Sequence, residues 1–249
     1  MNPPRDALAP RRRRLLRQGA AVALGYGFGP WLQHRAWAQA SAKRPLLIGL
    51  STDDTGQYGV SGQDEQCGIL MAVTEANERG GVLSRRIETV HEDNGGNAEQ
   101  ATKVAERLVS KHEVAFMVGG VHSGVANAIS KVAQKTGCVY INSNSSSPTE
   151  AGKDCHRVKF VWDGNGTNFS TTGVKGAMLG CGSDWVLVTS DYSWGRRTAK
   201  GIRELVERNG GRIKEELVVP QNLRDFEPTL KAIQKLKPNV VATAVGETT

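Results

Sequence analysis

From Leu46 to Ala244 the chain repeats one pattern: a short continuously apolar run, a polar or glycine-rich loop, then a stretch of helical length and period. Runs without polar alternation are buried on both faces, which is the signature of a parallel sheet covered by helices on both sides. The pattern predicts a strand at Leu46–Leu50, a helix from about Ser61 to Glu78 with Ile69, Leu70, Val73 and Ala76 as its apolar stripe, and a strand over Arg86–His91. Gly80-Gly81 stops that helix in the left-handed cap conformation. A second helix starts at Asn97, with Gln100 three residues on to complete a capping box, and runs to Ser110. Then follow a strand at Val114–Val118, a helix at Ser123–Thr136 and a strand at Cys138–Ile141. The fold class is α/β.

The alternation restarts near Asp163. Helices are predicted over Thr167–Leu179, Ser193–Asn209 and Phe226–Leu236, and strands over Trp185–Thr189, Ile213–Val219 and Val240–Ala244. Two similar halves imply two like domains, residues 41–162 and 163–249. The second has only three strands by Thr249, few for a free-standing α/β domain, so the sequence reads as truncated.

In open parallel sheets ligands bind in the crevice beyond the carboxyl ends of the strands. Four such ends are rich in hydroxyl and amide groups: Asp53 to Tyr58, Gly119 to Gly124, Asn142 to Ser147, and Ser190 to Gly195. Ser123 stands at a helix start, where its hydroxyl and the free N–H groups suit a carboxylate. Taken alone it reads first as a plain N-cap serine, and the Ser143–Ser147 run as a solvated turn ending at Pro148. Tyr58, Tyr192 and Trp194 are loop aromatics that either close over a ligand or pack a hinge.

Enzyme signatures are absent from the sequence. The first loop reads Gly56-x-x-Gly59-x-x-Gly62 and not G-x-G-x-x-G, and neither a phosphate-binding loop nor a nucleophile elbow is present. His91, His112, His122 and His156 show no metal spacing. His122 and Ser123, being adjacent, point in different directions and make a poor base and nucleophile. No catalytic residue, metal or cofactor is expected.

The run Ile48 to Tyr58, the helix Ala101–Leu108, the turn Val118-Gly119-Gly120 with Ser123, and Ser190-Asp191-Tyr192-Ser193-Trp194-Gly195 together resemble the periplasmic solute-binding proteins of branched-chain amino acid transporters, the Leu/Ile/Val-binding type. The resemblance covers essentially everything after residue 40. It implies a type I periplasmic-binding-protein fold: two Rossmann-like lobes with parallel sheets, the second incomplete here, and a ligand held between them for delivery to the membrane subunits of an ABC permease. By position, Ser123 and the Asn144-Ser145-Ser146 segment would hold the carboxylate and ammonium of an amino acid. Tyr58 and Trp194 would be aromatic lids, and Glu247 and Thr248 would fall in the next pocket loop. Asn144-Ser145-Ser146 is more polar than the family's pattern for branched-chain ligands, and Trp194 replaces a tyrosine or phenylalanine, so amides and aromatic acids stand beside leucine as ligands. A receptor module of the same fold, signalling to a membrane kinase, is the second reading, and an exported α/β enzyme the third.

The first forty residues read as an export signal: the basic run Arg11 to Arg17, an apolar glycine-rich stretch from Gly19 to Leu32, and an A-x-A site, Ala38-Gln39-Ala40, with cleavage after Ala40. The apolar stretch falls short of the ~20 residues a membrane span needs. The arginines followed by Leu15-Leu16-Arg17 resemble a twin-arginine signal; an ordinary secretory signal is the alternative. The absence of cysteine near the cleavage site speaks against a lipid anchor, and a periplasmic location follows. Seven of the 32 basic residues and one of the 25 acidic ones lie before Ser41, so the remainder is near neutral and carries no basic stripe for nucleic acid. Of the four cysteines, Cys67 and Cys138 read as buried thiols, and Cys155 and Cys181 as the better disulfide candidates.

Overall fold

A computed structural model describes residues 44–246, and residues 45–246 belong to one compact unit. The predicted export signal and Glu247 lie outside the described residues. Eight strands and six helices alternate along the described chain: β1 Leu46–Thr52, α1 Gly59–Glu78, β2 Ile87–Asp93, α2 Ala98–Ser110, β3 Phe116–Val118, α3 Ser123–Thr136, β4 Val139–Asn142 and β5 Lys159–Val161 form the first part. The second comprises α4 Gly166–Cys181, β6 Asp184–Ser190, α5 Ser193–Arg208, β7 Arg212–Val219, α6 Glu227–Leu236 and β8 Val240–Ala244.

Two all-parallel sheets result. The first has the order β2-β1-β3-β4-β5 and the second β7-β6-β8. β5 is an element the sequence reading missed, since three residues with Lys159 at their head give too short an apolar run to register. Helices α2 and α3 bury Ala101, Val104, Leu108, Val125 and Ile129 against Met117 and Tyr140 on one face of the first sheet. Helix α1 covers the other face, setting Ile69, Val73 and Ala76 on Ile48, Leu50 and Val118. Leu70, expected in that stripe, points outward with Met71. In the second sheet Val174, Ala199, Ile202 and Val206 of α4 and α5 pack on Trp185 and Leu187.

Helix ends follow side-chain chemistry. Asn97 caps α2 by accepting from the N–H groups of Glu99 and Gln100. The expected box does not close, because the Gln100 amide donates to the Asp93 carbonyl instead of receiving the Asn97 N–H. Gly137, at φ 76°, ends α3 in the left-handed conformation that glycine adopts without strain. The cysteine expectations are corrected: all four thiols are free, and Cys67, Cys155 and Cys181 are exposed. No helix among the described residues is long and apolar enough to cross a membrane.

This topology creates the site. β1 feeds α1 onto one face of its sheet, while its neighbour β3 feeds α3 onto the opposite face, so a crevice opens between their carboxyl ends. β6, flanked by β7 and β8, presents the loop to α5 toward it.

Candidate functional site

A cleft of about 180 Å³ lies where these loops meet. Tyr58, Ser61, Val121, Ser123 and the Asn144–Ser146 segment line it from the first sheet, and Tyr192, Trp194 and Gly246 from the second. Close backbone approach fixes the first wall. Gly119, at φ 124°, sits where a Cβ would come within 2.3 Å of the Ser51 carbonyl, so only glycine lets the β3 turn pass the end of β1.

Ser123 is 2% exposed, and its hydroxyl has no hydrogen-bond partner among the described residues. It is the first residue of α3 and does not cap it. That task falls to His122, whose Nδ1 accepts the Gly124 N–H at 3.2 Å. The N-cap explanation for Ser123 is therefore overturned. A buried hydroxyl left unpaired costs free energy unless something else bonds it.

Two carboxyl groups, Asp53 buried and Glu65 half-buried, hold this wall from behind. Asp53 accepts the His122 N–H at 2.9 Å. Glu65 accepts the Gly120 N–H at 3.2 Å and the Ser143 hydroxyl at 2.6 Å, joining the loops after β3 and β4. Burial pushes the Glu65 carboxyl up to about 7; the hydrogen bonds from Ser143 and Gly120 oppose that rise, while the charges of Asp53 and Asp54 add to it. Burial likewise raises Asp53.

Beneath the serine loop, Glu150 accepts the Ser145 hydroxyl and the Asn142 amide, and its carboxylate lies 3.4 Å from Lys159 Nζ, both side chains fully buried. The Ser145 N–H meets the Asn142 side chain at 2.9 Å and the Gly120 carbonyl at 3.1 Å, and its own carbonyl receives the Asn142 amide at 2.7 Å. Ser145 thus spends both its donors inside the first lobe. It offers a ligand only oxygen lone pairs, which narrows the role its position implied.

The two walls meet through aromatic rings and a few polar bonds. Tyr58 and His122 lie 5.3 Å apart, His122 stacks on Tyr192 at 5.2 Å, and Tyr192 lies 6.0 Å from Trp194. The Gln57 amide donates to the Gln221 carbonyl at 2.7 Å. The Trp194 indole N–H is buried without a partner. Six of the seven expected ligand residues, Tyr58, Ser123, Asn144, Ser145, Ser146 and Trp194, line this one cleft; Glu247 lies outside the described residues. The sequence reading left Ser61, Val121 and Gly246 unassigned, although Ser61 in the first turn of α1 was the one with a polar signal. Glu65 and Gln221 gave none, because their partners, Gly120, Ser143 and His122, are distant in sequence; Asp53 fell in a strand-end loop without an assigned role, and Glu150 lay just past the serine loop. Among the described residues no group of three His, Cys, Asp or Glu is placed to hold a metal.

Residues 45–249 match the model of a family described as periplasmic binding protein, and the chain belongs to that family. The chain is 30% identical over 142 residues to Leu/Ile/Val-binding protein homolog 1 of Brucella abortus, a match spanning 56% of this chain and 35% of that protein. A periplasmic binding protein from Burkholderia mallei superposes with a TM-score of 0.76 at 26% identity, over 82% of this chain and 54% of its own. A solute-binding protein of an R. palustris ABC transporter, solved with benzoate, gives 0.75 at 22% identity, over 82% and 56%. The chain therefore spans about half the length of the solved relatives, and the matched stretch about a third of the curated one.

Proposed function

We infer that this chain is the exported solute-binding component of an ABC importer. It holds an amino acid or related small polar or carboxylate ligand between two lobes and delivers it to the membrane subunits of a permease. In this reading residues 1–40 are a cleaved signal, 41–162 the first lobe and 163–249 the part of the second lobe that this chain carries. The observation that carries it is the unpartnered Ser123 hydroxyl, buried in an interlobe cleft at the N-terminus of α3, where the helix dipole and first-turn N–H groups favour an anion. The names of the relatives, Leu/Ile/Val-binding and benzoate-bound, support small carboxylates as the ligand class. The expectation that the protein turns nothing over belongs to this reading.

A thermal melt of residues 41–249, alone and with a panel of amino acids, amides and aromatic acids, tests it. A ligand at a hundred times its Kd adds about 2.7 kcal/mol to the stability of the form that binds it. One chemical class raising a cooperative transition is the expected result. A cooperative transition that no compound moves rejects the solute-binding reading.

A further inference from the structure

His122 sits between the loops of the two sheets and touches both. Its Nδ1 accepts from the Gly124 N–H, so Nε2 carries the proton of the neutral ring. Nε2 lies 3.0 Å from the Gln221 side-chain amide nitrogen, in the segment after β7, and that nitrogen donates to the Tyr58 hydroxyl at 3.3 Å; facing a protonated Nε2 it cannot bond, so the amide is turned about its terminal bond. An amide oxygen turned to that position accepts from both. One ring face stacks on Tyr192 with planes 19° apart. Tyr192 and Gln221 belong to the second sheet's loops, so much of the cover on this ring depends on the lobes lying together.

We propose that His122 is a proton-operated clasp: neutral, it holds the two lobes closed over the cleft, and protonated, it favours their separation. The driving force is linkage. A charged imidazole is better solvated where water reaches it than between Tyr58, Tyr192 and Gln221, so the open form binds the proton more tightly and acid shifts the population toward it. Burial does hold this ring below the ordinary histidine range, in keeping with the geometry. Two local penalties act in the same direction. A proton on Nδ1 confronts the Gly124 N–H, and the charge then sits at the positive end of the α3 dipole.

Among the described residues, the groups around the ring offer it no counter-charge. Tyr58, Tyr192 and Gln221 are uncharged, and the carboxylate of Asp53 is bonded to the His122 backbone N–H. Glu65 titrates in a neighbouring range, but its hydrogen bonds go to Gly120 and Ser143 within the first lobe, so it does not bridge the two. The clasp depends on two lobes enclosing a cleft and not on which solute fills it.

Small-angle X-ray scattering of the ligand-free chain at pH 7.5 and 5.0 tests this, with circular dichroism confirming retained helix at both. The wild type is expected to have the larger radius of gyration at pH 5.0. His122→Asn keeps a capping acceptor but does not titrate, and should give one radius at both values while retaining Glu65. Gln221→Glu places a carboxylate against Nε2–H, so the variant should stay compact at pH 5.0. A wild type of constant radius, or a His122→Asn variant that swells like the wild type, overturns the clasp. Should His122→Asn fail to fold, Gln221→Glu decides alone, and swelling like the wild type is the overturning result. A ligand panel without a hit, beside acid swelling that His122→Asn abolishes, would remove the solute-binding reading and leave the clasp standing.

Discussion

Glu65 on helix α1 accepts the hydroxyl of Ser143 at 2.6 Å and so ties that helix to the loop after β4, the segment that supplies Asn144–Ser146 to the cleft. With no lysine or arginine among the described residues bonded to it, this carboxyl is pushed up to about 7 by burial. An acid whose folded value exceeds its unfolded value binds more protons in the folded state between the two. Stability therefore falls as pH rises from about 4.3 to about 7, and is flat in this respect above that, the whole change being up to about 4 kcal/mol. Urea unfolding of wild type and Glu65→Gln at pH 5 and 8 measures it. The variant should lose most of this difference.

Ser123→Ala separates a ligand-binding hydroxyl from a structural one. The hydroxyl bonds nothing among the described residues, so its removal should leave stability within about 0.5 kcal/mol of wild type. A helix cap replaced by alanine would cost about 1 kcal/mol instead. Affinity for a carboxylate ligand should fall by about 1–3 kcal/mol, the worth of a bond to a charged group. Titration calorimetry beside a melt gives both quantities, and a destabilised variant with undiminished affinity would reverse the assignment.

The thiols supply a third expectation. Cys155 follows the serine loop and Cys181 closes α4; both are exposed and unbonded, as is Cys67. In denaturant, four thiols should react with a chromogenic disulfide reagent without prior reduction. In the native protein Cys67, Cys155 and Cys181 should react fast, and Cys138 more slowly, since it is half-buried. Fewer than four in denaturant would restore a disulfide.

The architecture was legible because burial writes itself into periodicity. The strand Val240–Ala244 and the helix Ser193–Arg208 lie within a residue of where their apolar runs placed them. The topology then brought Tyr58, Ser123, Asn144 and Trp194 to one cleft, as the strand-end rule and the resemblance together implied. What stayed hidden was long-range and polar. Whether Asn97 forms a full capping box depends on where the Gln100 amide finds a better acceptor, and that acceptor, the Asp93 carbonyl, comes into reach only through the turn between β2 and α2. That His122 and not Ser123 caps α3 turns on where the backbone becomes helical: His122 is still extended at φ −74°, ψ 131°, and Ser123 is already the first helical residue. Glu65 reads as any polar residue on a helix until Gly120 and Ser143 are folded against it.

The buried pair Glu150–Lys159 gives the sharpest stability prediction. Both side chains are fully buried, and Glu150 also receives Ser145 and Asn142, so it anchors the loop that forms one wall of the cleft. Burial raises the Glu150 carboxyl, and Lys159 opposes that rise. Removing one partner strands the other charge where water cannot reach it, a loss of about 3–5 kcal/mol. Glu150→Gln should therefore destabilise strongly even though its amide oxygen still accepts from Ser145. Lys159→Met on top of it should recover much of the loss, because two uncharged side chains of similar size no longer carry the desolvation cost. A double-mutant cycle in urea reads the coupling directly. Equal losses from Glu150→Gln and the double variant would mean that the hydrogen bonds to Asn142 and Ser145, and not the charge pair, hold the loop.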